Sequence, residues 1–264
     1  MPIGDSPAGA VEARSREFPE AGLVEEWTRA GNWLFRWRSY LPLAVLASLV
    51  VLSYTFPPVT AGQLDGWELA GLAVGLAGLA LRVWTVGHAP AGTSGRGTRQ
   101  LEADSLSTEG VYSVVRHPLY LGNLLMWAGV AMTTGSVVAV IITLLVFWIY
   151  NERIMLAEER FLHGRFGPVF ARWAERTPAL LPAPRRWRPH QLSFSLRFAL
   201  GRDHAAFYAW VAATTALEAA ESLGAGGGLG VAPFWWAYFG AGTVAYVVLW
   251  RLKKDSTLLN VEGR

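Results

Sequence analysis

An all-α, polytopic transmembrane bundle of about six spans is the fold this sequence predicts, on three observations. The chain is 52% hydrophobic and only 16% charged, with a mean hydropathy of +0.28, whereas soluble domains are near a quarter charged. Its apolar residues fall into blocks near the roughly 20 residues that a helix needs to cross a bilayer. Its Lys and Arg residues avoid every loop on one side of those blocks, as the positive-inside rule requires. The 13 Trp and 28 Gly suit the same class, because Trp anchors at headgroup level and Gly is frequent in membrane helices. With no Cys in the chain, a disulfide framework, a thiolate metal site and a cysteine nucleophile are excluded.

Taken in order, residues 1–21 lack the apolar core of a signal peptide, and their Pro, Gly, Ala and charged residues predict a disordered tail. Leu23, Trp27, Ala30, Leu34 and Trp37 then recur at helical spacing between Glu25, Glu26, Arg29 and Arg36. Two readings stand for them: an amphipathic helix on the inner membrane surface, or an extension of the first span. That span covers 40–56 and ends at Pro57-Pro58; the second covers 67–86, with Arg82 near its end. The stretch 119–150 is too long for one span and is interrupted by Thr133-Thr134-Gly135-Ser136, so it predicts a short helical hairpin. Blocks 205–223 and 234–250, separated by the Gly-rich 224–230, complete the count.

Charge tests this arrangement. With a cytoplasmic N-terminus the outer loops are 57–66, 133–136 and 224–233, and none contains Lys or Arg. Arg36, Arg38, Arg96, Arg99, Arg116, the Arg set from Arg153 to Arg202, and Arg251, Lys253 and Lys254 all fall inside. Both termini are therefore expected in the cytoplasm. The expected division is a tail at 1–21, a core at 22–204 with cytoplasmic segments at 151–182 and 184–202, and an added C-terminal hairpin at 205–264.

Three inner segments carry chemistry. In the first, Pro118 suits the opening turn of a helix, which puts Arg116 and His117 at its positive end. Backbone N–H groups there favour an anion, and Arg116 adds a carboxylate or phosphate clamp; the plainer reading is an interfacial anchor. Gly122 would let another helix or a ligand come close. In the second, Glu158 and Glu159 lie about 100° apart on a helix beside apolar residues. They would suit ribose hydroxyls, an ammonium or a sulfonium, or would simply be solvated and paired with Arg153, Arg160 and Arg165. In the third, Gly167-Pro168 starts a short helix that Pro178 and Pro182 end. Phe166, Phe170 and Trp173 line one side, and Arg176 at its end caps carbonyls or meets substrate.

The order and spacing of these elements are more specific than any one of them. Arg116-His117-Pro118, Tyr120 and Gly122, then Glu158-Glu159 with Leu162, Phe166-Gly167, and the closing Pro178 to Pro182 resemble the isoprenylcysteine carboxyl methyltransferase and phospholipid methyltransferase superfamily. The resemblance covers 110–182. It implies a hairpin and cytoplasmic helices enclosing S-adenosylmethionine, with a lipid acceptor admitted laterally from the bilayer. Carried over by position, His117, Tyr120, Gly122, Glu158 and Glu159 would bind the cofactor, and Arg116 and Arg176 would serve catalysis, Arg176 near the transferring methyl. Methyl transfer needs in-line positioning and exclusion of water more than acid–base machinery. No metal is required, since the five His residues show no ligand-like spacing, and no nucleic acid is expected as a partner.

Two segments bear on the acceptor. Arg96 and Arg99 sit in a Gly- and hydroxyl-rich loop that would form an anion nest. Arg185, Arg186 and Arg188 surround Trp187 and suit anionic headgroups, or a polybasic surface anchor. With the C-terminal hairpin they resemble a bacterial branch assigned to methylation of the lipid A 1-phosphate. This implies a lipid phosphate as acceptor, at the cytoplasmic face of a bacterial inner membrane. The superfamily's other acceptors are a prenylated cysteine carboxylate, a phosphatidylethanolamine amine or a small thiol. An NADPH-dependent sterol-type reductase of similar architecture and a non-catalytic scaffold are the competing classes. Glu218 and Glu221, near the outer end of the fifth span, are either functional intramembrane carboxylates or side chains that reach water. They are left out of the expected site.

Overall fold

The computed structural model describes residues 22–58, 61, 63–90 and 103–261, and they are all-helical. The N-terminal tail and the loop that holds Arg96 and Arg99 lie outside the described residues. Eight α-helices follow one another: α1 (Leu23–Trp37), α2 (Leu41–Thr55), α3 (Gly66–Gly87), α4 (Pro118–Met132), α5 (Val137–Phe166), α6 (Pro168–Arg176), α7 (Leu196–Gly224) and α8 (Pro233–Asp255).

Of the two readings of the first amphipathic stretch, the structure shows a separate helix. α1 is bent by 74° from α2 and lies along α5, with Gly31 against the Arg153 backbone and an Arg160–Glu25 ion pair of 2.6 Å. Leu23, Trp33 and Trp37 point away from the bundle, where an interfacial helix keeps its anchors.

α3 begins at a capping box: the Asp65 side chain accepts from the backbone of Trp67 and Glu68, and Glu68 reaches back to the Asp65 N–H. Gly71 and Gly78 face α4. A methyl group on Gly78 would stand 2.5 Å from the Gly122 carbonyl oxygen, and one on Gly129 2.5 Å from that of Gly71. Small residues at both surfaces let the two backbones meet, which is how membrane helices gain packing without a hydrophobic driving force. The α4–α5 hairpin turns at Thr133 to Ser136, where both threonine hydroxyls bond backbone carbonyls and Ser136 caps α5. Val138, Ile141, Ile142, Leu145 and Ile149 of α5 are exposed, as side chains facing lipid tails would be. Leu49, Leu79, Met126, Val130, Trp210, Val211 and Leu217 form the central core.

α3 and α5 are individually long and apolar enough to cross a membrane, and the bent α1–α2 pair passes the same test as one broken span. These are the spans of an integral membrane protein. The expected count of six is not established: α4 is apolar but only 15 residues long, and α7 carries Arg197, Arg202, Asp203, Glu218 and Glu221. α7 also corrects an expected boundary. It starts at Leu196, where Ser195 caps the Phe198 N–H, and runs unbroken past residue 204. Asp203 does not interrupt it because its carboxylate is neutralised by Arg82, with Nε–Oδ2 at 3.0 Å and Nη2–Oδ1 at 2.7 Å.

Candidate active site

The segment ahead of α4 is held by the chain that follows α6, beginning with an antiparallel bridge between Gly110 and Arg188. The N–H groups of Arg116 and His117 donate to the carbonyls of Pro178 (2.8 Å) and Ala179 (3.1 Å), and Ala183 N–H donates to Val114 (2.9 Å). Arg188 N–H bonds the Ser113 hydroxyl at 2.9 Å, and Trp173 Nε1 donates to the Tyr112 carbonyl at 3.0 Å. The Pro-rich stretch after α6 therefore fixes the start of α4. α6 in turn is aimed by Gly167, whose φ of +51° takes the chain through a left-handed conformation that a side chain would strain.

Behind this seam lies a cavity of about 250 Å³ whose walls include Arg38, Arg82, Tyr112, Arg116, His117, Tyr120, Asn123, Glu158, Glu159 and Trp173. Glu159 Oε1 accepts from His117 Nε2 at 2.8 Å and pairs with Arg116 Nε at 3.2 Å. His117 Nδ1 stands 3.9 Å from Glu158 Oε2, and the Tyr120 hydroxyl is in hydrogen-bonding reach of Glu158 and Arg38. His117 is buried and occupies the N-cap of α4, so both carboxylates sit where the helix dipole favours negative charge. Arg116 Nε is buried yet not aligned as a hydrogen-bond donor. Burial, and then the Glu158 charge, push the Tyr112 phenol well above its ordinary range, so it stays a neutral hydroxyl.

Arg82 forms the floor. Besides Asp203 it donates through Nη1 to Asn123 Oδ1 at 2.6 Å, tying α3, α4 and α7 together. A second cavity of about 310 Å³ shares Ser105, Leu106, Ser107 and Tyr112 with the first. On its wall the rings of His88 and His190 stack at 3.6 Å. Burial, and then the neighbouring His88, lower the pKa of His190. The Nε2 of His190 and the Ser107 hydroxyl are buried without partners.

Of the residues expected at the site, Arg116, His117, Tyr120, Glu158 and Glu159 line the first cavity. Gly122 does not: it packs against Gly78 and the Arg82 side chain. Arg176 ends α6 exposed and off both cavity walls, and Arg185, Arg186 and Arg188 are exposed beside the seam. Local patterning missed Arg38, Arg82, Asn123 and the His88–His190 pair. An Arg inside one apolar span and an Asp just ahead of another apolar block was the available signal, since charges at membrane depth pair with each other.

The fold and the cavity define a class: a helical membrane protein with a charged, part-enclosed cavity at one end of its bundle. The chain is similar over residues 67–169 to the family model for phospholipid methyltransferases, and that stretch supplies Arg82, Arg116, His117, Glu158 and Glu159. It is 36% identical to a cobalt-zinc-cadmium resistance protein of Cupriavidus metallidurans, over 36% of this chain and 47% of that one. It is 31% identical to the protein-S-isoprenylcysteine O-methyltransferase of Schizosaccharomyces pombe, over 29% and 33%. It is also 31% identical to methanethiol S-methyltransferase 2 of Bradyrhizobium diazoefficiens, over 55% and 63%. The chain thus spans less than two thirds of each of these relatives. No solved structure matches it.

Proposed function

We propose that this protein transfers a methyl group from S-adenosylmethionine to a membrane lipid acceptor, at the cytoplasmic face of a bacterial inner membrane with both termini inside. The observation that carries this reading is the Arg116–Glu159–His117 cluster with Glu158, built on a cavity wall by the family-matched segment. The residues fit the cofactor. Glu158 and Glu159 offer carboxylates to hydroxyls or an ammonium, Arg116 and Arg38 offer guanidinium donors to a carboxylate, and Tyr112, Tyr120 and Trp173 offer aromatic faces to a cation. When bound, the cofactor supplies an electrophilic methyl group on a sulfonium. The chain's part is to orient it, exclude water and present the acceptor oxygen in line.

The preferred acceptor is a lipid phosphate, as in the lipid A-like reading. A phosphate oxygen is already anionic and needs no base, and the exposed Arg185, Arg186 and Arg188 beside the cavity suit an anionic headgroup. One observation favours a second reading, a small thiol. The buried, unpartnered His190 Nε2 on the second cavity is placed to take the proton that a thiol must lose. Purified protein in vesicles, methyl-labelled S-adenosylmethionine and separate lipid and thiol acceptors test both. Label in a phosphate-bearing lipid supports the proposal, and label in thiol alone replaces it with the second reading. No label and no cofactor binding by calorimetry sinks methyl transfer and leaves the reductase or scaffold classes.

A further inference from the structure

The three acidic residues that the methyl-transfer site does not use meet at the other end of the bundle. Glu68 stands in the first turn of α3, and Glu218 and Glu221 lie three residues apart on one face of α7. Their relative exposures are 2%, 1% and 0%, so the alternative that Glu218 and Glu221 reach water is excluded. A carboxylate oxygen from each lies within 4.8 Å of one from each of the others. Along α3, Glu68 is about 21 Å from Arg82, at 1.5 Å per residue.

We propose that Glu68, Glu218 and Glu221 form a binding site for a divalent cation, of calcium size, held by oxygen ligands alone. Two independent observations point to a ligand. First, Glu221 Oε1 accepts from the Ser53 hydroxyl at 3.0 Å, but its Oε2 is buried with no donor. A fully buried carboxylate oxygen without a partner is among the costlier features a fold retains. Second, the charged groups acting on Glu68 and Glu221 are Glu218 and Asp65, which are acidic themselves.

Charge and geometry then select the ion. A cation shared by three carboxylates offsets their mutual repulsion, and a divalent one does so more fully than a monovalent one. An all-carboxylate donor set suits hard cations. Magnesium demands near-ideal octahedral geometry and keeps several of its waters, whereas calcium accepts flexible all-oxygen protein sites, so a buried three-carboxylate cluster suits calcium. The donors come from different helices, Glu68 from α3 and the others from α7, with Ser53 of α2 bonding Glu221. A bound ion would clasp those three helices at the end remote from the cavity.

The test uses the full chain in lipid nanodiscs, stripped with chelator and titrated with calcium, magnesium or manganese by calorimetry, with terbium luminescence sensitised by Trp as a second probe. One saturable calcium site, tighter than for magnesium, is expected, and calcium should raise the melting temperature by several degrees. Glu221→Gln should abolish both effects, while its circular dichroism stays helical and its melting temperature in chelator equals or exceeds that of the wild type, because a buried charge has been removed. Glu218→Gln serves if that variant does not fold, and the wild-type titration stands without either. Absence of saturable binding of all three ions, or equal calcium affinity in the variants, overturns the proposal and leaves protons as the neutralising species. Tighter magnesium binding overturns the calcium assignment.

Discussion

At one end of the α3–α7 pair, Arg82 grips Asp203 through two nitrogens and holds Asn123 with a third; at the other, Glu68 of α3 meets Glu218 and Glu221 of α7. Both ends bury charge between the same two helices. The first closes its charge within the chain, and its side chains have one compact arrangement. The second gathers three acids at one point, an arrangement that draws protons or a cation. A self-compensated cluster fixes helix positions under all conditions, whereas an acidic one makes them depend on solution composition.

Breaking the compensated end has the largest expected effect. Arg82→Ala or Asp203→Ala leaves a lone charge in a site where the side chains are 14% and 7% exposed. Such a change costs about 3–5 kcal/mol, read as a lowered melting temperature in detergent. Replacing both together, Arg82→Met with Asp203→Leu, should recover most of the loss. Glu68→Gln at the acidic end, assayed in chelator, should cost nothing or stabilise. Equal losses at the two ends would dissolve the contrast.

The candidate site compares with the compensated end, because its charges too are paired within the chain. Glu159 holds both Arg116 and His117, yet its side chain is 23% exposed to the cavity. Glu159→Gln keeps the shape and one acceptor but loses the charge. Hydrogen bonds to charged groups are worth about 1.5–3 kcal/mol, so S-adenosylmethionine affinity should fall roughly 10- to 100-fold, with little change in melting temperature. Unchanged affinity by calorimetry would move the cofactor elsewhere.

These two regions also mark how far the sequence could be read. The meeting of Arg116 and His117 with Glu158 and Glu159 was accessible because each pair is adjacent in the chain and sits where a Pro-opened helix and a helical exit from the membrane put it. The Arg82–Asp203 contact joins residues 121 positions apart, and no periodicity reports which helix will pack on which. Arg38 looked like one more inside-positive charge, and it lines the cavity because α1 and α2 bend sharply around it. Glu218 and Glu221 lie near the apparent end of a span; Glu68, whose box with Asp65 looks purely local, lies across from them and closes the cluster.

A smaller effect is expected where α3 meets α4. Gly78→Ala would drive a methyl group to 2.5 Å from the Gly122 carbonyl oxygen, and backbone cannot step aside as a side-chain tip can. Overpacking of this kind costs about 1–3 kcal/mol. Since the same contact sets the height of Arg82 against Asn123, the variant should also weaken cofactor binding slightly. Gly164→Ala, with open space around it, is the matched control and should do neither.

The smallest effect separates the two cavities by pH. The pKa of His190 lies below its ordinary 6.5, through burial and then through His88 stacked on it. The folded chain therefore binds that proton less readily than the unfolded one, which makes stability rise with pH across the window below about 6.5 and level off above it. Protonation at His190 would place a cation against a second imidazole at 3.6 Å, so acid should loosen the 187–194 segment first. His190→Asn removes the titrating group, and its melting temperature should vary less between pH 5 and about 7 than that of the wild type. The same variant divides the acceptor readings. Transfer to a phosphate oxygen proceeds without a base and should keep its rate at neutral pH, whereas transfer to a thiol should slow most where the lost imidazole would have been neutral.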